Sequence, residues 1–150
     1  MPNKILWNDP PTSRGTVLAS ELNSLANGAL SGVSGSGTGS PVDNATNLDQ
    51  YGLFRLSVTF GSNPSAGGSI NVYEIIAADG STYGSSAAAV QMRLVCSIPV
   101  NASTSLQVID TPPILLRPAL SKYAIENKTG VAFPASGSTL TLFTANDEVQ

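Results

Sequence analysis

The chain has 150 residues, a length that suits one domain, since single domains run to roughly 100–200 residues. It is 41% hydrophobic but only 11% charged, against about 25% charged in an average globular chain, so neutral polar residues and 14 glycines must cover the surface. That mix favours strands joined by turns and argues against a helix bundle laced with ion pairs.

The net charge is -3, and the seven basic residues, at 4, 14, 55, 93, 117, 122 and 128, form no run. Phosphate neutralisation needs clustered Lys and Arg, so no nucleic-acid partner is expected. Histidine is absent, which removes the commonest general base and every His-containing nucleophile pair or metal site. Cys96 is the single cysteine, so neither an intrachain disulfide nor a CxxC motif can form. No apolar run approaches the ~18–20 residues of a membrane span, and the N-terminus lacks a signal-peptide core. The expectation is a soluble protein made in the cytoplasm, with no membrane partner. The sequons at Asn44, Asn101 and Asn127 then read as chance matches.

In chain order, Lys4–Trp7 reads as a short strand or anchoring segment, ended by Pro10-Pro11. Val17, Leu18, Leu22 and Leu25 recur at the spacings of one helix face, with Gly28 as a stop, which predicts a helix over 17–27. Residues 31–40 are Gly/Ser-rich, with Val33 the one apolar residue, and read as a flexible loop or an arm that orders on a partner. From Tyr51 onward the pattern is strands and turns. Residues 53–60 alternate, placing Phe54, Leu56, Val58 and Phe60 on one face. A second strand over 69–77 closes at Asp79-Gly80, and the two strands are expected to pair as a hairpin. Residues 90–98 resume period two. Shorter strands follow at 106–109, 114–116, 122–127, 130–133 and 138–145, punctuated by prolines. The expected fold is an all-β antiparallel sandwich or jelly roll of about eight strands. Residues 1–50 form an N-terminal arm with one short helix, residues 51–150 form the core, and the whole is a single structural domain.

Candidate chemistry is sparse. Glu74 stands in an apolar strand beside Tyr73, and a carboxylate there needs only the solvent face to be satisfied. Asp43, Asn44, Asn47 and Asp49 bring four oxygen-bearing side chains together, but the spacing misses the EF-hand pattern and fits a turn-forming Asx cluster better. Gly32–Gly39 lacks the Lys-Ser/Thr of a phosphate loop. Cys96 falls in an alternating strand, with no histidine to activate it. Trp7 lies outside the expected sandwich and suits an anchor in a neighbouring subunit. No catalytic, cofactor or metal site is expected.

Thr12–Gly28 (TSRGTVLASELNSLANG), Asp43–Asp49 (DNATNLD) and Thr129–Glu148 (TGVAFPASGSTLTLFTANDE) resemble stretches of small virion proteins of tailed bacteriophages. By fold class the chain is similar to the jelly-roll decoration or cement proteins of phage capsids. The resemblance implies a non-enzymatic structural protein on the capsid surface, made in the host cytoplasm, with the major capsid protein as partner and a small homo-oligomer, dimer or trimer, as the working form. On that reading Ile5, Leu6 and Trp7 are the expected anchors, and Val33 and Val42 the expected contacts of the adaptable arm. The alternative is a receptor- or carbohydrate-binding module of a tail fibre or baseplate, with Tyr83 and the 79–89 loop as its site.

Overall fold

The computed structural model describes residues 5–7, 11–31, 39–84 and 92–149. They form an all-β antiparallel sandwich. One sheet has five strands: β2 (Thr12–Leu18), β10 (Thr139–Ala145), β4 (Tyr51–Val58) and β7 (Gln107–Asp110) in that order, with β8 (Ile114–Leu115) beside the start of β4. The other runs β3 (Val42–Asp43), β9 (Leu120–Lys128), β5 (Ser69–Ala77), β6 (Arg93–Pro99). A separate two-stranded ladder joins β1 (Ile5–Trp7) to β11 (Asp147–Val149). The strands beyond the expected eight are mostly these two- and three-residue pieces, too short to leave a periodic signature.

The alternation read from residues 53–60 holds: Phe54, Leu56, Val58 and Phe60 are all buried. They face Ile70 and Val72 of β5 and Tyr123 and Ile125 of β9 in one core. Phe54 meets Tyr123 edge-on at 4.9 Å between ring centroids, and Phe60 meets Phe133 at 5.5 Å. Such edge-to-face contacts add about 1 kcal/mol each beyond the area they bury. The expected hairpin between 53–60 and 69–77 does not form. β4 and β5 belong to different sheets, so the loop between them crosses from one layer to the other. β5 instead pairs along its whole length with β9, from Ser69 opposite Lys128 to Ala77 opposite Leu120. Residues 130–133, expected as a strand, are loop; Phe133 is buried there as a core plug.

Residues 17–27 are not a helix. Val17 and Leu18 end β2, which pairs with β10, and a 3-10 turn at Ser20–Leu22 follows. All four apolar positions still reach the core or pack against it, because a strand end followed by a tight turn delivers them inward as a helix face would. Pairing with β10 supplies the backbone hydrogen bonds that a helix would otherwise have made. The four-residue helix α1 (Asn44–Asn47) lies later in the chain; the Thr46 amide donates to the Asp43 side chain at its start, and Leu48 ends it in the left-handed region at φ 54°.

Of residues 1–50, described residues 11–31 contribute to the sandwich: β2 is an integral strand, Leu22 is fully buried, and residues 28–31 lie along the outer edge of β9. There Gly28 and Ser31 amides donate to the carbonyls of Asn127 and Ile125, and the Asn127 amide donates to Ala29. β3 continues the cover against Ser121 and Leu120. Of the Gly/Ser-rich segment, residues 32–38 lie outside the described residues. Gly39 packs on the Val17 carbonyl so closely that a Cβ there would collide with it.

Asn127 is the hub of this edge. Fully buried, it donates from Nδ2 to the carbonyls of Leu25 (2.9 Å) and Val131 (2.8 Å) and accepts at Oδ1 from the Thr129 amide (3.0 Å) and hydroxyl (2.7 Å). Its sequon is therefore structural. Asn127→Ala strands those partners without replacements, each costing about 1–3 kcal/mol; a loss of about 3 kcal/mol is expected in a urea melt with an unchanged m-value.

Candidate functional site

Glu74 lies on the inner face of β5, in phase with Ile70 and Val72 and opposite Tyr123. It does not point to the solvent, as the sequence allowed: it is 3% exposed. The Ser121 hydroxyl donates to Oε1 at 3.1 Å. Oε2 stands 3.2 Å from Arg93 Nε and 3.7 Å from Arg117 Nε, with no hydrogen bond of good geometry. Arg93, the first residue of β6, also donates to the Leu115 carbonyl of β8 at 3.3 Å. The cluster thus ties the edges of the two sheets together where the sandwich would otherwise gape. Beside it, burial, reinforced by the Glu74 charge, pushes the Tyr123 phenol far above its ordinary range. A buried carboxylate beside two half-exposed arginines has the form of a structural latch.

The Asx cluster is also structural. Asp49, nearly buried, takes a bidentate ion pair from Arg14 of β2 at 2.7 Å and 2.7 Å. Asn44, 4% exposed, donates to the carbonyls of Asp49 and Arg117 and accepts from the Asp49 amide. Asp43 caps α1. These oxygens are engaged by the chain's own donors, and among the described residues no group of His, Cys, Asp or Glu side chains has the arrangement of a metal site. Cys96 is half-buried, and burial raises its thiol to about 11, which keeps it protonated at neutral pH.

An open cleft of about 430 Å³ lies beside the four-stranded sheet, lined by Asn27, residues 65–68, Glu126, Lys128 and Gly130. Glu126 accepts from Asn71 (3.1 Å) and Tyr73 (2.9 Å) and pairs with Lys128 at 3.4 Å. Burial raises its carboxyl, but these donors together outweigh that and hold it below the usual carboxylate range. Its charge is thereby already matched within the chain. Tyr83, of the alternative sugar site, has Lys122 Nζ over its ring at 4.5 Å, so one stacking face is covered. Residues 85–89 of that loop lie outside the described residues.

The expected contact residues separate. Ile5, Leu6 and Trp7 form β1, paired with Val149, Glu148 and Asp147 of β11. Val33 lies outside the described residues. Val42 is a correction: at 7% exposure it belongs to the core, brought in by the pairing of β3 with β9, so its side chain is not offered to a partner.

Sequence reasoning missed the outer face of the five-stranded sheet. There Leu53 stands opposite Phe143, Val108 opposite Ser57 and Leu115 opposite Tyr51. Val108 is 55% and Leu115 68% exposed. Arg55 lies between them, bidentate to Asp110 at 2.7 and 2.8 Å and over the Phe143 ring at 5.1 Å. The signal was present in one residue: Leu53, in phase with the outward Arg55 and Ser57, is apolar.

Comparison with protein families, characterised proteins and solved structures finds no match to this chain. No helix among the described residues is long and apolar enough to cross a membrane.

Arg93→Ala leaves the Glu74 carboxylate buried without its nearest cation and is expected to cost about 3 kcal/mol in chemical denaturation. Arg117→Ala, farther away and nearly half exposed, should cost under about 1 kcal/mol. Cys96 in the native protein should react with iodoacetamide at pH 8 far more slowly than in the urea-unfolded chain, which an alkylation time course by mass spectrometry reads directly.

Proposed function

We propose that this chain is a non-enzymatic structural protein of a tailed-phage particle, a decoration protein that clamps adjacent major-capsid subunits and works as a small symmetric oligomer. The observation that carries the reading is β1: the segment expected as an anchor is an N-terminal strand that belongs to neither sheet of the sandwich and pairs, among the described residues, with the C-terminal strand β11. A ladder outside both sheets can take a role at a neighbour without breaking the hydrogen bonding of either sheet. Val108 and Leu115, exposed on the outer face of the five-stranded sheet, add apolar side chains that a partner could cover. The resemblance in residues 12–28, 43–49 and 129–148 also supports the reading.

The mechanism is mass action. A protein that binds the assembled lattice and not free subunits stabilises the lattice by an amount set by its concentration and affinity, and several contacts per oligomer multiply the effect. The carbohydrate-binding alternative draws less support, because Lys122 occupies a face of Tyr83.

Quantitative mass spectrometry of purified particles tests the reading. A copy number at a simple fraction of the major capsid protein is the expected result, with Trp7→Ala reducing occupancy. A handful of copies per particle would move the protein to the tail, and none at all would remove it from the virion.

A further inference from the structure

The geometry points to the outer face of the five-stranded sheet as the surface through which two copies of this chain associate about a twofold axis. The inference deepens the proposed function by naming where its oligomer forms and rests on that reading for the oligomer's role; the surface itself is argued from the sheet.

In an antiparallel sheet, directly opposed residues share a face. With Phe54, Leu56 and Val58 facing the core, Leu53, Arg55, Phe143, Val108, Asp110 and Leu115 all face outward. An outward face that meets only water reads as polar. The five-stranded sheet departs from that where Leu53, Phe143, Val108 and Leu115 stand among Ser57, Thr139 and Thr141. Its outer face carries Leu53 and Phe143 around a recess of about 290 Å³, completed by Pro11, Arg55 and Asp110, with Val108 and Leu115 standing exposed on the edge strands.

The charges at the centre of this face favour a second copy as occupant. Arg55 and Asp110 are neighbours, both about half exposed, and form one fixed cation beside one fixed anion in an apolar surround. Such a pair is its own complement: a half-turn about an axis passing between them sets each Arg55 against the partner's Asp110, the self-complementary pattern of an isologous interface. A partner of one charge sign would meet repulsion from half of the pair.

Charge reversal separates this interface from the intrachain ion pair. Arg55→Asp gives a face with two acids and Asp110→Arg one with two bases, so each full-length variant alone should be monomeric in sedimentation equilibrium where the wild type is dimeric, its dissociation constant raised at least about tenfold. Mixing the two should restore a 1:1 heterodimer, because acid then meets base at both crossings. A merely intrachain role for the pair cannot produce that rescue. Leu115→Glu, at a position 68% exposed, is a second variant that leaves the ion pair intact and should also give monomers. A wild type that stays monomeric at high micromolar concentration overturns the proposal, as do charge-reversed variants that remain dimeric or a mixture that fails to associate. Should the pure chain be monomeric while Leu115→Glu lowers its occupancy on particles, the face docks on the lattice and not on a second copy. A pure dimer absent from particles would instead uphold the interface and sink the capsid role.

Discussion

Two sheets that share one apolar interior are open along their sides, and the whole structure depends on how those sides are closed. In this chain buried polar groups close them, at positions where neither sheet can supply another strand. At one side Glu74 holds Arg93 and Arg117 while Arg93 reaches the β8 carbonyl of Leu115. At the other, Asn127 binds the loops at Leu25 and Val131 and the chain from 28 to 31 lies along β9. A third tie, Arg14 to Asp49, fastens the edge strand β2 to the turn before β4. A carboxylate inside a core is costly unless paired, so the arginines and the glutamate belong to one device. With so few charged residues in the chain, placing several of them at closures leaves the remaining surface to Ser, Thr, Asn and Gly.

What could be read from the sequence follows from how local each signal is. The faces of β4 were legible because period two over eight residues admits one reading. β5, β9 and β10 were legible as strands to within a few residues. The segment 17–27 misled because Val17, Leu18, Leu22 and Leu25 fit a helical face, and nothing local announces that β10, more than 100 residues later, will claim residues 12–18 as a strand. Tertiary pairing overrode a weak local preference. The hairpin expected between β4 and β5 failed similarly, since periodicity says which residues face inward and not which sheet receives the strand.

Glu74 is instructive in the opposite direction. Counting in twos from Ile70 and Val72 places it inward, so its burial was available from the sequence. The signal was obscured because Tyr73, Ile75 and Ala77, on the other face of β5, are buried too, and a strand apolar on both sides has no evident inside. Its partners were not available: Arg93 and Arg117 come from separate elements and meet only through the fold. Val42 went wrong for want of the same information, because a two-residue strand has no period and only the pairing with β9 reveals that it is core.

The two outer faces of the sandwich differ at their centres. The four-stranded sheet presents Glu126 matched to Lys128, Asn71 and Tyr73, with Leu94 standing 54% exposed opposite Tyr73. The five-stranded sheet presents leucine, valine and phenylalanine around one ion pair, and burying it would gain roughly 25 cal/mol per Å² of apolar area before the costs of association. The β1–β11 ladder lies beside that second face, since Asp147 of β11 accepts a hydrogen bond from Tyr51 at the start of β4. Dimerisation through the five-stranded sheet would therefore hold two such ladders in fixed relation. If the ladders are the anchors of the proposed decoration protein, two of them bind a repeating lattice more tightly than either alone, provided their separation matches the repeat, and the dimer face would then set, through that spacing, the preference for an assembled lattice over its free subunits.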